Sequence, residues 1–500
     1  MAWRRFIRSI GEHGSLRDLA RWLFLATLIT APWLYGGTTA WSVELINGML
    51  GLALAFWVAS FLVDRRWPSV PRGLLVIAGL ILLQGWWMVA NANGIYDSTF
   101  RSFVPVHCIV PGAAGSADFV LSFAWMLRAT ALIGVVCLVA ELAQRPLWLL
   151  RLWGTLAIAG GSIALLGLIQ KGTGAGMIFW QQMEGTPQFT RTFFASFYYH
   201  ANAGAFLNLV LPPAAGIALW SVARRAPPFA RAAWTTTLLL VLVAVFSNTS
   251  RMAQAVGVMI SLAMIAAVGR TASGVIARGE KRTLLLGLVI VVFAAVAIGQ
   301  AAHLEEPLLR WRQFTKQFPE DTRWLADRAA FNAVPDAGLF GFGPGTFRAL
   351  FPHYQVAFGN QLRGTWRFLH DDYLQTILEW GWLGSLFIAA LFFGGIATAL
   401  RNYSKARDWS NRQRIFLLCV VVALAGVALH ALVDFPLQIL SIQLLVATYL
   451  GICWGSSRWK VTEVPPTPWL RRGRRRSEVR GQRSGPITSN YFLFFDFLSE

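Results

Sequence analysis

Stretches such as "LLVIAGLILLQGWWMVA" (74–90) recur along the chain, each long enough to cross a bilayer and almost free of charge. In hydrocarbon every backbone N–H and C=O must be satisfied within the chain, so runs of this kind, about 20 residues long, admit helices and little else. Of the 500 residues, 56% are hydrophobic and 14% charged, a balance that excludes a soluble globular protein of this length. The sequence therefore predicts an all-α polytopic membrane protein with about twelve transmembrane helices. The spans fall at 20–38, 43–63, 73–92, 119–142, 148–169, 201–222, 233–249, 252–269, 283–301, 376–400, 413–433 and 437–455. The basic, then apolar N-terminus runs on too long for a cleaved signal and has no small-residue cleavage site, so it reads as an uncleaved first helix.

A net charge of +20 would point to nucleic acid in a soluble protein. Here it sorts by connection instead. Arg4, Arg5, Arg8, Arg65, Arg66, Arg72, Arg145, Arg151, Arg224, Arg225, Arg231, Arg270, Arg278, Lys281, Arg282, Arg401, Lys405, Arg407, Arg412 and Arg414 all fall in alternate connections. That pattern places those connections, and both termini, in the cytoplasm. Residues 1–455 form the membrane domain, and 456–500 form a basic cytoplasmic tail that reads as disordered. No nucleic-acid partner is implied; membrane lipid is. The opposite face carries three sizeable loops, 93–118, 171–200 and 302–375, the last being the largest and lying between helices 9 and 10. Tryptophans near span ends, Trp33 and Trp41 among them, read as interface anchors and not as a sugar-binding stripe.

Four scattered cysteines with no CxxC or Cys/His cluster support neither zinc nor a disulfide framework. The loop-bearing face holds the unusual charge. Arg191, Arg251, Arg323 and Arg328 lie near span ends or in the large loop, and Arg251 sits in a very short connection. Arginine is permanently charged and matches phosphate oxygens bidentately, so the set suggests a phosphate-bearing substrate entering from the bilayer. A single such arginine can equally snorkel to headgroups.

The stretch "RFLHDDYLQTILEWGWLGSLF" (367–387) brings His370, Asp371, Asp372, Gln375 and Glu379 to the mouth of a span. Asp371, Gln375 and Glu379 recur four residues apart as a polar stripe, and the aspartates suit the positive end of a helix. His370 beside a carboxylate reads as a general base. Adjacent aspartates on a helix diverge by about 100°, which disfavours a metal shared with His370. "GLFGFGPGTF" (338–347) lacks the Lys-Ser/Thr of a P-loop and reads as a tight-turn hinge. His430 and Asp434, four residues apart, read as a pair satisfied in the core or lining the cavity.

Taken in order, "ASFYYHANAGAFLNLVLP" (195–212), "TSRMA" (249–253), "DAGLFGFGPGTFRALFPHYQ" (336–355), "HDDYLQTILEWGWLG" (370–384) and "HALVDFPLQI" (430–439) resemble the O-antigen ligase and polymerase superfamily, the Wzy-C class, in its polysaccharide-type branch. The likeness covers roughly 190–440. It implies an inverting, metal-independent transfer, with no cofactor, of a glycan from undecaprenyl diphosphate to an acceptor hydroxyl on the periplasmic face of the bacterial inner membrane. The acceptor would be lipid A core or a polysaccharide, for a role in lipopolysaccharide or exopolysaccharide synthesis at the cell envelope. By motif, His370 would be catalytic. Arg251, Arg191 and Arg323 (with Arg328 as the alternative) would hold the donor diphosphate, and Asp371, Asp372, Glu379 and Asn202 would support them. Tyr198 and Tyr199 depart from the family pattern, which has small or amide residues there. The competing readings are a lipid-linked glycan flippase, a protein O-oligosaccharyltransferase of the same superfamily, and a sensor or scaffold.

Overall fold

The computed structural model describes residues 15–97, 99–100, 102–181, 193–278, 305–313, 321–405 and 410–459. Helices α1 (Ser15–Trp33), α2 (Ala40–Val63) and α3 (Arg72–Ala90) lead to a small hairpin, β1 (Gly94–Asp97) paired antiparallel with β2 (Ser102–Pro105). Then follow α4 (Phe119–Leu142), α5 (Pro146–Gly172), α6 (His200–Ala223), α7 (Pro228–Ser247) and α8 (Arg251–Arg278). The large loop contains α9 (Glu305–Arg312), α10 (Thr322–Asn332), α11 (Val334–Ala337) and α12 (Phe347–Gln355). The chain closes with α13 (Asp372–Lys405), α14 (Asn411–His430) and α15 (Leu440–Gly455).

Among the described residues, nine helices are long and apolar enough to cross a membrane: α2 to α7 and α13 to α15. The protein is thus a polytopic, mostly helical membrane protein. Helices α1 and α8 coincide with two more of the expected spans; α1 carries Arg17, Asp18 and Arg21 in its first turns, and the apolar part of α8 is short. The expected span at 283–301 and the basic tail lie outside the described residues. The 93–118 loop contains the hairpin. Asp118 ties it down, accepting from the Leu121 amide at the start of α4 (2.8 Å) and from the Tyr96 amide (2.9 Å).

The most deeply buried helix is α15, whose residues from Leu440 to Gly455 are all buried except Gln443. Two of the charges within spans, Glu141 and Arg128 of α4, have structural partners. Glu141 accepts from Arg66 (2.5 Å) and from Trp57 Nε1 (3.1 Å). Arg128 donates to the Gln438 carbonyl (2.8 Å) with its guanidinium 4.7 Å from the Trp125 ring. Charge inside a membrane needs such partners.

The "GLFGFGPGTF" segment forms the glycine-rich turn between α11 and α12, and it also pairs with the backbone of α13. Helix α13 breaks at Gly381 (φ 63, ψ −174), leaving backbone groups that a lone helix could not satisfy. The glycine segment supplies the partners. Phe342 N donates to Leu378 O (2.8 Å), Gly343 N to Glu379 O (2.9 Å), and Leu383 N to Leu339 O (3.0 Å). Two backbones meet so closely here that a Cβ on Gly341 (φ 79) would collide with the Gly381 nitrogen and the Glu379 carbonyl. Glu379 itself secures the same join, accepting from the Phe347 amide (3.3 Å) and Gln375 Nε2 (3.0 Å), while Gln375 accepts from Leu369 N (2.9 Å). The polar stripe therefore anchors backbone.

This join carries a stability prediction. Gly341→Ala is expected to destabilise the detergent-solubilised protein by more than about 1 kcal/mol, because the residue must adopt a left-handed conformation against a neighbouring backbone. Gly48→Ala, where an added Cβ meets nothing within 4 Å, should lower the thermal midpoint by no comparable amount.

Above the join, α10 and α12 pack Ala326, Ala329, Ala330, Phe347 and Phe351 against Leu369 and Leu378, a second small core. It fixes the large loop over the start of α13, where His370 lies.

Candidate active site

His370 lies two residues before α13. Its neighbour Asp371 spends one carboxylate oxygen on the helix start, accepting from the amides of Tyr373 (2.9 Å) and Leu374 (3.0 Å). This is the capping role expected of an aspartate at that end. Asp372 turns elsewhere. Its carboxylate accepts from Leu437 N (2.7 Å) and Gln438 Nε2 (2.8 Å), and its amide donates to Ala431 O (3.0 Å). It fastens the head of α13 to the 431–439 turn between α14 and α15. The two neighbouring carboxylates thus serve different partners, and neither is the one that meets His370.

The turn held by Asp372 presents Asp434. His370 Nδ1 lies 3.1 Å from Asp434 Oδ1, which also accepts from the Phe435 amide (3.0 Å). An ionised carboxylate only accepts, so Nδ1 donates to it, and in the neutral ring Nε2 is the nitrogen left to accept a proton. The carboxylate is almost fully buried (side chain 4% exposed), while His370 keeps 17% of its side chain accessible. Burial opposes ionisation of Asp434, but the hydrogen bond and charge of His370, with Arg323 and His430 nearby, outweigh it and hold the group at about 2. The expected His430–Asp434 pair is corrected accordingly: neither ring nitrogen of His430 has a hydrogen-bond partner among the described residues, and the carboxylate serves His370.

The other carboxylate oxygen leads to the arginines. Tyr199 donates its hydroxyl to Asp434 Oδ2 (3.3 Å) and accepts from Arg323 Nη2 (2.8 Å). Its ring stacks on Phe435 (5.5 Å, 13°). Burial first, then the Asp434 charge, raises the Tyr199 phenol above its usual range. Burial works against the charge of Arg323, yet Tyr199, Asp434 and Asp321 raise its pKa overall. Arg323 is held at the base of α10 by the Asp321 cap, whose carboxylate accepts from the Arg323 amide (3.0 Å). Arg328, one turn further on, is exposed.

The next residue, His200, faces Arg310 (Nη1 to Nε2, 3.1 Å). Arg251 donates to the Arg310 carbonyl (3.3 Å), so α8 and α9 meet beside the start of α6. Asn248 shapes that corner, donating to His200 O (2.8 Å) and accepting from Ser250 N (2.8 Å). Arg251, Arg310 and Arg323 stand close enough for their charges to repel, with Asp321 the acidic group among them. A cluster of like charges of this kind is suited to an oxyanion ligand. Asn202, one turn into α6, is buried with its Oδ1 unpartnered among the described residues.

The structure thus brings His370, Arg251 and Arg323 to one end of the bundle. Asp371, Asp372 and Glu379 hold backbone around them. Arg191 falls outside the described residues. Sequence reasoning missed Arg310, Asp434 as the partner of His370, and Tyr199 as the link between Asp434 and Arg323. The two tyrosines departing from the family pattern were the available signal for the last of these.

Residues 236–389 match the family model for the O-antigen ligase domain, Wzy_C. The matched stretch carries Arg251, Arg310, Arg323 and His370; Tyr199 precedes it and Asp434 follows it. Comparison of the chain with curated proteins gives no match. That matched stretch, set within a helical membrane bundle, is similar to the O-antigen ligase domain.

Proposed function

We propose that the protein transfers a glycan from a polyprenyl diphosphate, undecaprenyl diphosphate by family resemblance, to an acceptor hydroxyl at the periplasmic face of the bacterial inner membrane. The observation that carries this is the single carboxylate, Asp434, touching His370 on one oxygen and reaching Arg323 through Tyr199 on the other. A base for the acceptor and a cation for the leaving group are thereby fixed in one frame.

In the proposed step His370 Nε2 takes the acceptor proton while the acceptor oxygen bonds to the anomeric carbon. The bond from that carbon to the diphosphate oxygen breaks, and the diphosphate leaves with both electrons. Arg251, Arg310 and Arg323 stabilise the charge developing on it; preorganised donors of this kind act at no reorganisation cost. Asp434 holds the imidazole in the required tautomer and stabilises the imidazolium formed. A single displacement inverts the anomeric configuration, and the arginines supply the positive charge without requiring a metal. Asn202, with a buried and unpartnered carbonyl oxygen, supports the donor side.

Ligase, polymerase and protein O-glycosylase chemistry share this step. The likeness of "HALVDFPLQI" to a polysaccharide branch favours an O-antigen or exopolysaccharide acceptor. A flippase is less well supported, because Arg128 and Glu141 within the spans have structural partners.

In cells, His370→Ala is expected to abolish surface-glycan transfer while the protein remains inserted in the membrane. Full transfer by that variant would refute the proposal. Lipid flipping by the purified protein in vesicles without product would favour the transporter.

A further inference from the structure

Trp33 and Trp41 are not isolated anchors. The turn between α1 and α2 with its flanking residues, the 178–180 turn after α5 and the residues before α6 bring five aromatic rings together, with a sixth aromatic, Trp180, beside them in sequence. Trp33 stacks on Phe179 (6.3 Å, 13°) and Tyr35 on Tyr198 (5.5 Å, 15°), while Tyr35 meets Phe179 (5.5 Å) and Trp41 (6.0 Å) edge-on. Trp180 adjoins Phe179. Trp33, Trp41 and Trp180 are 37%, 47% and 51% exposed.

Three of these residues hold a backbone conformation that bulky side chains rarely adopt: Tyr35 (φ 52), Phe179 (φ 53) and Trp180 (φ 56). Such strain persists where the surroundings enforce it, and it concentrates at functional sites. The surroundings here do enforce it. Ser196 donates to Pro32 O (2.6 Å), Ser441 donates to Gly36 O (2.7 Å), and Trp180 Nε1 donates to Thr173 (3.1 Å). A belt of headgroup anchors needs neither mutual stacking nor left-handed aromatics.

The chemistry of the patch selects its ligand. The stretches 33–41 and 173–181 contain no charged residue but do carry Thr38, Thr39, Thr173 and Gln181. Flat apolar faces rimmed by hydroxyls and an amide suit the C–H faces and hydroxyls of uncharged sugar rings. The patch also continues into the site. Tyr198 is followed by Tyr199 and His200, which hold Arg323 and Arg310.

Resting on the proposed transfer, we infer that these six aromatics form a platform for an uncharged part of the donor glycan, several sugars away from the bond that is made. Its occupant is glycan and not polyprenyl chain.

The test uses the full chain in nanodiscs and, as probes, mild-acid fragments of the host's own surface polysaccharide sized to one, two and four repeat units. Saturation-transfer NMR should show the longer fragments binding to wild type. Trp41→Ala and Trp180→Ala should each weaken that binding about tenfold, the effect of losing one aromatic contact. Trp180→Phe, which keeps a ring, should bind nearly as wild type and so separate stacking from misfolding. Transfer of a single-unit donor should be unchanged in all three. Absence of fragment binding to wild type, equal binding by the alanine variants, or saturation passing only to added polyprenol would each overturn the platform. Fragment binding is read without transfer and should survive His370→Ala. A failed platform therefore leaves the transfer reading standing, and a failed transfer leaves the platform measurable.

Discussion

Asp434→Asn is expected to lower turnover about 10²–10⁴-fold, the range over which a positioned acid or base acts, with little change in donor KM. The amide keeps the shape of the buried group but can present an N–H to His370, favouring the tautomer whose Nε2 no longer accepts a proton. It also loses the negative charge that stabilises the imidazolium. The same substitution has a pH signature in stability. Asp434 titrates at about 2, below the ordinary carboxyl value near 3.9. A depressed carboxyl stabilises the fold fully above its unfolded pKa and loses that contribution as pH falls through the folded one. The gap in thermal midpoint between wild type and Asp434→Asn should therefore be constant above about pH 5 and close between about pH 4 and pH 2. Thermal denaturation across that range measures it. An unchanged turnover would remove Asp434 from the mechanism.

Arg323→Ala is the second large effect, an expected loss of about 10²–10³-fold in kcat/KM, comparable to removing one donor to a developing oxyanion. Donor KM should rise as well as kcat fall, because the guanidinium would meet the diphosphate both before and during bond breaking. Arg323→Lys should recover little, since an ammonium lacks the planar fork. Arg323 also donates to Tyr199, so its removal alters the partner of Asp434. Double mutation with Tyr199→Phe should accordingly be non-additive, as for residues in one hydrogen-bonded network. Steady-state kinetics at varied donor concentration decide this. Additive losses would mean that the phenol does not connect the two halves of the site.

The spans were legible because apolar runs of bilayer length leave the backbone no alternative to helix. His370, Arg251 and Arg323 stood out because charge at a membrane rim is costly and needs a reason. The partner of His370 was hidden by distance. Asp371 is its neighbour in sequence and Asp434 lies 64 residues away, and only the fastening by Asp372 brings the 431–439 turn to α13. Local spacing pointed Asp434 at His430, whose ring nitrogens have no hydrogen-bond partner among the described residues. Arg310 sits in an amphipathic stretch with Arg312, and its partner His200 is 110 residues away. The glycine segment at 338–347 was legible as a turn, but its partner, the break at Gly381, was not, because nothing within the segment encodes it. Trp33 and Trp41 were read as separate anchors because the rings gathered with them come from connections far apart in sequence. What sequence showed was the cost of placing each group; what it hid was which distant group offsets that cost.

The most direct measurement uses the purified chain in nanodiscs with a polyprenyl-diphosphate-linked glycan and an acceptor, following both products. We expect one polyprenyl diphosphate released for each bond formed, inverted configuration at the transferred sugar, undiminished turnover in EDTA, and loss of all of this in His370→Ala. Retained configuration, a glycan bound covalently to the protein, or transfer that survives His370→Ala would contradict a single displacement driven by the His370–Asp434 pair.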